Sequence, residues 1–140
     1  MLIDLESGDP RWAVALPVLR ELRPHLTDEL LDLVLREGAP QGLHFTALFQ
    51  SDRCVAVAGW RVVVTTSAIR KLYIDDLSTA AAERSRGHGA TLLAALAERG
   101  RELGCMAIEL DSGVQRYDAH RFYLRERMDI TSHHFARRLD

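Results

Sequence analysis

The chain has little of what marks several common classes of protein. Only two of its 140 residues are cysteine, Cys54 and Cys105, and no C-x-x-C or comparable spacing suggests a metal. Both lie among apolar neighbours and read as buried, reduced thiols. No apolar run nears the ~20 residues of a membrane span. The opening "MLIDLESGDPR" has neither the basic start nor the apolar stretch of a secretory signal, so a cytoplasmic protein without a membrane partner is expected. An excess of positive charge is missing too: the formal net charge is −2, which argues against general nucleic-acid binding. Repeats, low-complexity tracts and linkers are absent. The length suits a single domain, 1–140, with a core of its own.

What the chain does have is pattern. "LIDLE" (2–6) reads as a strand, and Asp9-Pro10 as a helix start. Apolar positions from Trp12 to Leu22 follow a loose helical period that Pro17 and Pro24 should split or end. Thr27 opens a second helix, which "GAPQG" (38–42) stops. "LHFTALF" (43–49) and "CVAVAGWRVVVT" (54–65), around the polar "QSDR", predict a hairpin. "KLYIDDLST" (71–79) predicts a third strand. A helix over 87–103, a strand "MAIEL" (106–110), a short helix over 118–126 and a last strand "ITSHHFARRL" (130–139) complete the order. The strand–helix–strand unit within a mostly antiparallel set predicts an α/β (α+β) protein, with a mixed sheet and helices on both faces.

The stretch "AERSRGHGATLL" (82–93) concentrates chemistry. A helix start leaves backbone N–H groups free at the positive end of the helix dipole, where anions bind. Gly87 and Gly89 allow close approach to the main chain, and Arg84 and Arg86 supply charge-assisted hydrogen bonds. The turn therefore reads as a phosphate or pyrophosphate cradle. It matches neither the P-loop, since no Lys-Ser or Lys-Thr follows the glycines, nor the dinucleotide pattern, since leucine stands where the third glycine belongs.

The layout Arg84-x-x-Gly87-x-Gly89, after "DLST" and before "ATLLAAL", resembles the GNAT superfamily of N-acetyltransferases, with its R/Q-x-x-G-x-G/A signature. Downstream, Ala119 and Tyr123 in "RYDAHRFYLRERMDI" keep the spacing of that family's N-x-x-A-x-x-x-Y. The resemblance covers about residues 54 to 139. It implies a twisted sheet of about six to seven strands and acetyl-CoA as donor, with no metal. Leu77, Ser78 and Thr79 would lie beside the pantetheine arm, and the turn residues Arg84, Ser85, Arg86, Gly87, His88, Gly89 and Ala90 would hold the pyrophosphate. The acceptor would be an amine of a small molecule or peptide, and a homodimer is possible. Two departures stand out: Arg116 replaces the usual asparagine of the cofactor contact, and "RMDI" replaces the usual "GF".

Under this resemblance Tyr123 is the candidate general acid. A phenol with pKa ~10 protonates a thiolate of thiol pKa ~8.5 slightly uphill, a gap that local tuning can close. Asp75 and Asp76 are candidates for the base or an acceptor contact; strand alternation would send their side chains to opposite faces. Glu83 and His120 are weaker candidates, and a water chain would need no named base. The runner-up to an enzyme is a module of the same fold that binds acyl-CoA without turnover.

Overall fold

A computed structural model describes the whole chain, residues 1–140. By internal contacts it divides into two compact units, Met1–Glu109 and Leu110–Asp140. The first begins with β1 (Leu2–Leu5) and α1 (Trp12–Leu22). Asp9 closes the entry to α1 by accepting the Arg11 backbone N–H at 2.9 Å. Pro17 does not split this helix, against expectation. A mid-helix proline removes one hydrogen bond, but here its ring sits on the exposed side, and Trp12, Ala15, Leu16, Val18 and Leu19 bury the other. Pro24 follows the helix end. In α2 (Asp28–Gly38), Thr27 caps the start by accepting the Leu30 N–H at 3.1 Å, and Asp28 and Glu29 face the positive end of the dipole.

Three consecutive strands follow: β2 (His44–Gln50), β3 (Arg53–Val63) and β4 (Lys71–Thr79). With β5 (Ala107–Leu110), reached through α3 (His88–Glu102), they complete a five-stranded sheet in the order β1-β2-β3-β4-β5. The pairings β1–β2, β2–β3 and β3–β4 are antiparallel. Helices cover both faces, as the neighbouring β3 residues Gly59 and Trp60 show. A Cβ on Gly59 would stand 2.8 Å from Phe45, whose ring packs edge-on against Trp12 of α1. Trp60 points the other way and lies under Arg99 of α3. Leu5, Leu16, Leu19, Phe45, Phe49 and Val57 belong to the core beneath α1 and α2. No helix is long and apolar enough to cross a membrane.

The second unit holds one helix, α4 (Tyr117–Arg125). The expected strand over 130–139 does not form, so the sheet has five strands rather than six or seven. Its apolar residues explain why. Ile130 falls on one parity and Phe135 and Leu139 on the other, so a strand here would have no apolar face, and all three are exposed. A strand also needs a neighbour to take its N–H and C=O groups, and this segment pairs with none.

Candidate active site

The chain leaves β4 through a 3₁₀ turn (Ala81–Glu83) and enters α3 at Gly87. Gly87 has φ +79°, a left-handed conformation that glycine takes without steric penalty, and His88 follows as the first helical residue. A left-handed residue before a helical one turns successive N–H groups toward one concavity, a shape that suits anions. The first intrahelical bond runs from Thr91 N to Gly87 O, so the N–H groups of His88, Gly89 and Ala90 have no acceptor within the helix. No side chain caps them. Arg84 is exposed at the rim and makes no ion pair. Ser85 is left-handed without being glycine, at φ +64°, a strained backbone of the kind that collects at ligand-binding turns. These donors and the positive helix end fit the pyrophosphate of a coenzyme.

Beneath the turn lies Glu83, only 5% exposed. Its Oε1 accepts from Arg53 Nη1, and its Oε2 accepts from Arg86 Nη1 at 3.0 Å. His88 Nε2 stands 3.7 Å from that second oxygen and has no hydrogen-bond partner, although the residue is only 8% exposed. Burial alone would raise the Glu83 carboxyl. The hydrogen-bonded Arg53 guanidinium, with Arg86 and His88 alongside, instead takes it below the usual carboxylate value. Glu83 is thus an anchor for cations rather than a free base. Arg86, expected to reach phosphate directly, is first a partner of Glu83. Arg53 escaped the sequence analysis; the only hint was its place at the start of β3, which an antiparallel meander brings beside the end of β4.

At that end, Leu77, Ser78 and Thr79 oppose Ala58, Val57 and Ala56 of β3. The Ser78 hydroxyl donates to Val18 O of α1 at 2.7 Å, so its side chain serves packing. Two residues earlier the strand bulges: Asp76 opposes Gly59 and Ile74 opposes Trp60, which leaves Asp75 without an opposite number. The extra residue resets the alternation, so the expectation of opposite faces for Asp75 and Asp76 fails. Arg61, on the same face of β3 as Gly59, binds Asp75 with two hydrogen bonds of 2.8 and 2.9 Å. Asp76 bonds Arg23, just past α1, at 2.7 Å, and its other oxygen lies toward Gly59. Both carboxylates thus serve the α1 face, each with its own arginine. Trp60 is buried and donates to Thr46 Oγ1 at 3.0 Å, so it belongs to the core.

In the second unit, α4 carries Tyr123 half-buried. The guanidinium of Arg116, the residue before the helix, acts electrostatically on the Tyr123 phenol. Burial pushes this phenol above its usual pKa, and the charge of Arg116 offsets the rise only in part. Local tuning therefore widens the gap to a thiolate instead of closing it. His120 Nε2 lies 2.7 Å from Gly113 O, so that ring is engaged in holding the approach to α4. The sequence-derived residues thus fall into two groups, the turn with the end of β4 in one unit and Arg116 with Tyr123 in the other.

Residues 9–128 match the model of the acetyltransferase (GNAT) family. The uncharacterised N-acetyltransferase YhdJ of Bacillus subtilis (strain 168) is 34% identical over 119 residues, 84% of this chain and 83% of that protein. Among solved structures, the aminoglycoside N-acetyltransferase AAC(6′)-Iy in complex with CoA superposes with a TM-score of 0.82 at 14% identity, covering 99% of this chain and 93% of that one. The ribosomal-protein-alanine N-acetyltransferase of Brucella melitensis biovar Abortus 2308 gives 0.81 at 14% identity over 99% of both chains. At such identity the two structures speak for the fold.

Proposed function

This chain belongs to the acetyltransferase (GNAT) family, and we propose that its Arg84–Ala90 turn holds the pyrophosphate of acetyl-CoA while Tyr123 serves as general acid. The activity is acetyl-CoA-dependent N-acetyl transfer. The observation that carries the cofactor assignment is the uncapped start of α3: three N–H groups without intrahelical acceptors behind a left-handed Gly87, with Arg84 unpaired at the rim. The family match crosses both units, which supports one catalytic domain over the chain.

Acetyl-CoA supplies the thioester. The amine nitrogen bonds to its carbonyl carbon, the C–S bond breaks, and the thiolate takes a proton from Tyr123. The main chain of Leu77, Ser78 and Thr79 lines the pantetheine arm. With ordinary values, phenol to thiolate is about 1.5 pKa units uphill, roughly 2 kcal/mol; the upward shift of Tyr123 adds to this. That cost is compatible with turnover, and the upward shift favours the protonated, acid-competent phenol.

The acceptor is an amine of a small molecule or peptide, in a cytoplasmic enzyme. Asp75 and Asp76 do not make an acidic patch, because Arg61 and Arg23 neutralise them. Asp75 is held at both oxygens, whereas Asp76 bonds its arginine through one. Both remain the candidates for an acceptor contact or base, Asp75 the more exposed and Asp76 with one oxygen outside its ion pair. The test is thiol release from acetyl-CoA across a panel of aminoglycosides, polyamines and peptide amines, with calorimetry of CoA binding. Micromolar CoA binding with turnover of at least one amine is expected. Binding without thiol release from any amine would replace the enzyme with a binding module. No binding would remove the cofactor assignment.

A further inference from the structure

The cation balance beneath the turn is uneven. A buried carboxylate ordinarily pairs with one cation, yet Glu83 takes two guanidiniums, from Arg53 and Arg86, with the unpartnered ring nitrogen of His88 beside it. One negative charge cannot neutralise two arginines, so the cluster keeps a net positive charge at the foot of the helix start. Both guanidiniums are more than half exposed at their side chains, so each keeps donors available to an incoming anion. The remaining polar neighbour of Arg53 is Gln50, at 3.4 Å, which is neutral. Arg53 reaches Glu83 from the first residue of β3, thirty residues earlier in the chain.

We propose that Arg53 is an additional phosphate-binding residue of the acetyl-CoA site, and that Glu83 is the positioning residue that holds Arg53 and Arg86 side by side. The proposal rests on the reading of the turn as a cofactor site and extends that site to the start of β3, outside the motif. A fixed carboxylate between two guanidiniums presets two forks at little entropic cost, and arginine forks suit phosphate oxygens. Coenzyme A offers a pyrophosphate and a 3′-phosphate, and the chemistry of recognition is the same for both.

Calorimetry of CoA and of dephospho-CoA, which lacks the 3′-phosphate, tests this on the wild-type chain and on Arg53→Ala, Arg53→Lys and Glu83→Gln. Arg53→Ala should weaken CoA about tenfold or more, as expected for one charge-assisted contact, and leave the KM of the acceptor unchanged. Arg53→Lys should recover part of the loss, since the charge returns without the fork. A loss seen with CoA alone assigns Arg53 to the 3′-phosphate, and an equal loss with both ligands assigns it to the pyrophosphate. Glu83→Gln should raise the KM for acetyl-CoA several-fold at unchanged kcat; an unchanged KM would overturn its positioning role. If Glu83→Gln does not fold, the Arg53 variants still decide. Wild-type affinity for CoA together with unaltered affinity of Arg53→Ala for both ligands overturns the proposal while the cofactor site stands. Failure of the wild type to bind CoA at all removes both.

Discussion

The two units of this chain hold their functional residues by different means. In Met1–Glu109 the cofactor turn stands on a buried carboxylate and runs into α3, whose Leu92, Leu93 and Leu96 are buried. In Leu110–Asp140 no residue is buried to that degree, and Tyr123 sits on a nine-residue helix held by short-range contacts: His120 to Gly113 and Arg121 to Asp118. The proposed cofactor turn is preorganised by packing, so its geometry depends on the core. The proposed acid sits on a helix with no fully buried residue, so its chemistry can be altered with little change in stability. The contrast predicts where substitutions act on folding and where on rate.

The largest effect should come from the core. Leu72 on β4 is fully buried and packs against Gly100 of α3. Leu72→Ala should cost about 2–5 kcal/mol by denaturant unfolding and weaken CoA binding only through the fraction unfolded. A cost under ~1 kcal/mol would mean that α3 is not anchored through this contact. Next comes Tyr123→Phe, expected to lower kcat about 100-fold, the scale of a lost general acid, with the KM for acetyl-CoA and the melting temperature little changed. Near-native turnover would take the acid role from Tyr123. A large fall in melting temperature would break the contrast itself.

The pH profile sharpens the same point. Burial disfavours the phenolate, so the folded-state pKa lies above the ordinary tyrosine value and the proton stays on to higher pH. The alkaline limb of kcat set by Tyr123 should therefore fall above pH ~10. Arg116→Ala removes the charge that favours the phenolate, and it should move the limb higher still. A limb lowered by that substitution would contradict the assigned cause.

Legibility in the sequence followed the same divide. The hairpin and β4 were readable because β-branched runs flank a polar turn, and β4 occupies the expected 71–79. The start of α3 was readable because Gly87 and Gly89 stand just ahead of the apolar helical run "ATLLAAL". Three features were not. The bulge at Asp75 depends on register with Gly59 and Trp60, which no pattern within β4 reveals. The Arg53–Glu83 pair joins residues thirty apart through the antiparallel path of the sheet. The upward shift of Tyr123 depends on burial, which its helical spacing does not report.

The smallest effect should lie in the last segment, where sequence and structure disagreed most. Residues 130–139 were expected to form a last strand, yet none forms and Phe135 is 90% exposed. A side chain that folding leaves in water contributes almost nothing to stability, because burial is what makes an apolar group stabilising. Phe135→Ser should thus change stability by less than ~0.5 kcal/mol, the usual range for surface positions, as measured by denaturant melts at fixed protein concentration. A core-sized loss would show that Phe135 is covered in solution. Repeating the melt over a hundredfold range of concentration would then separate cover by a second copy, where stability rises with concentration, from cover within one chain, where it does not.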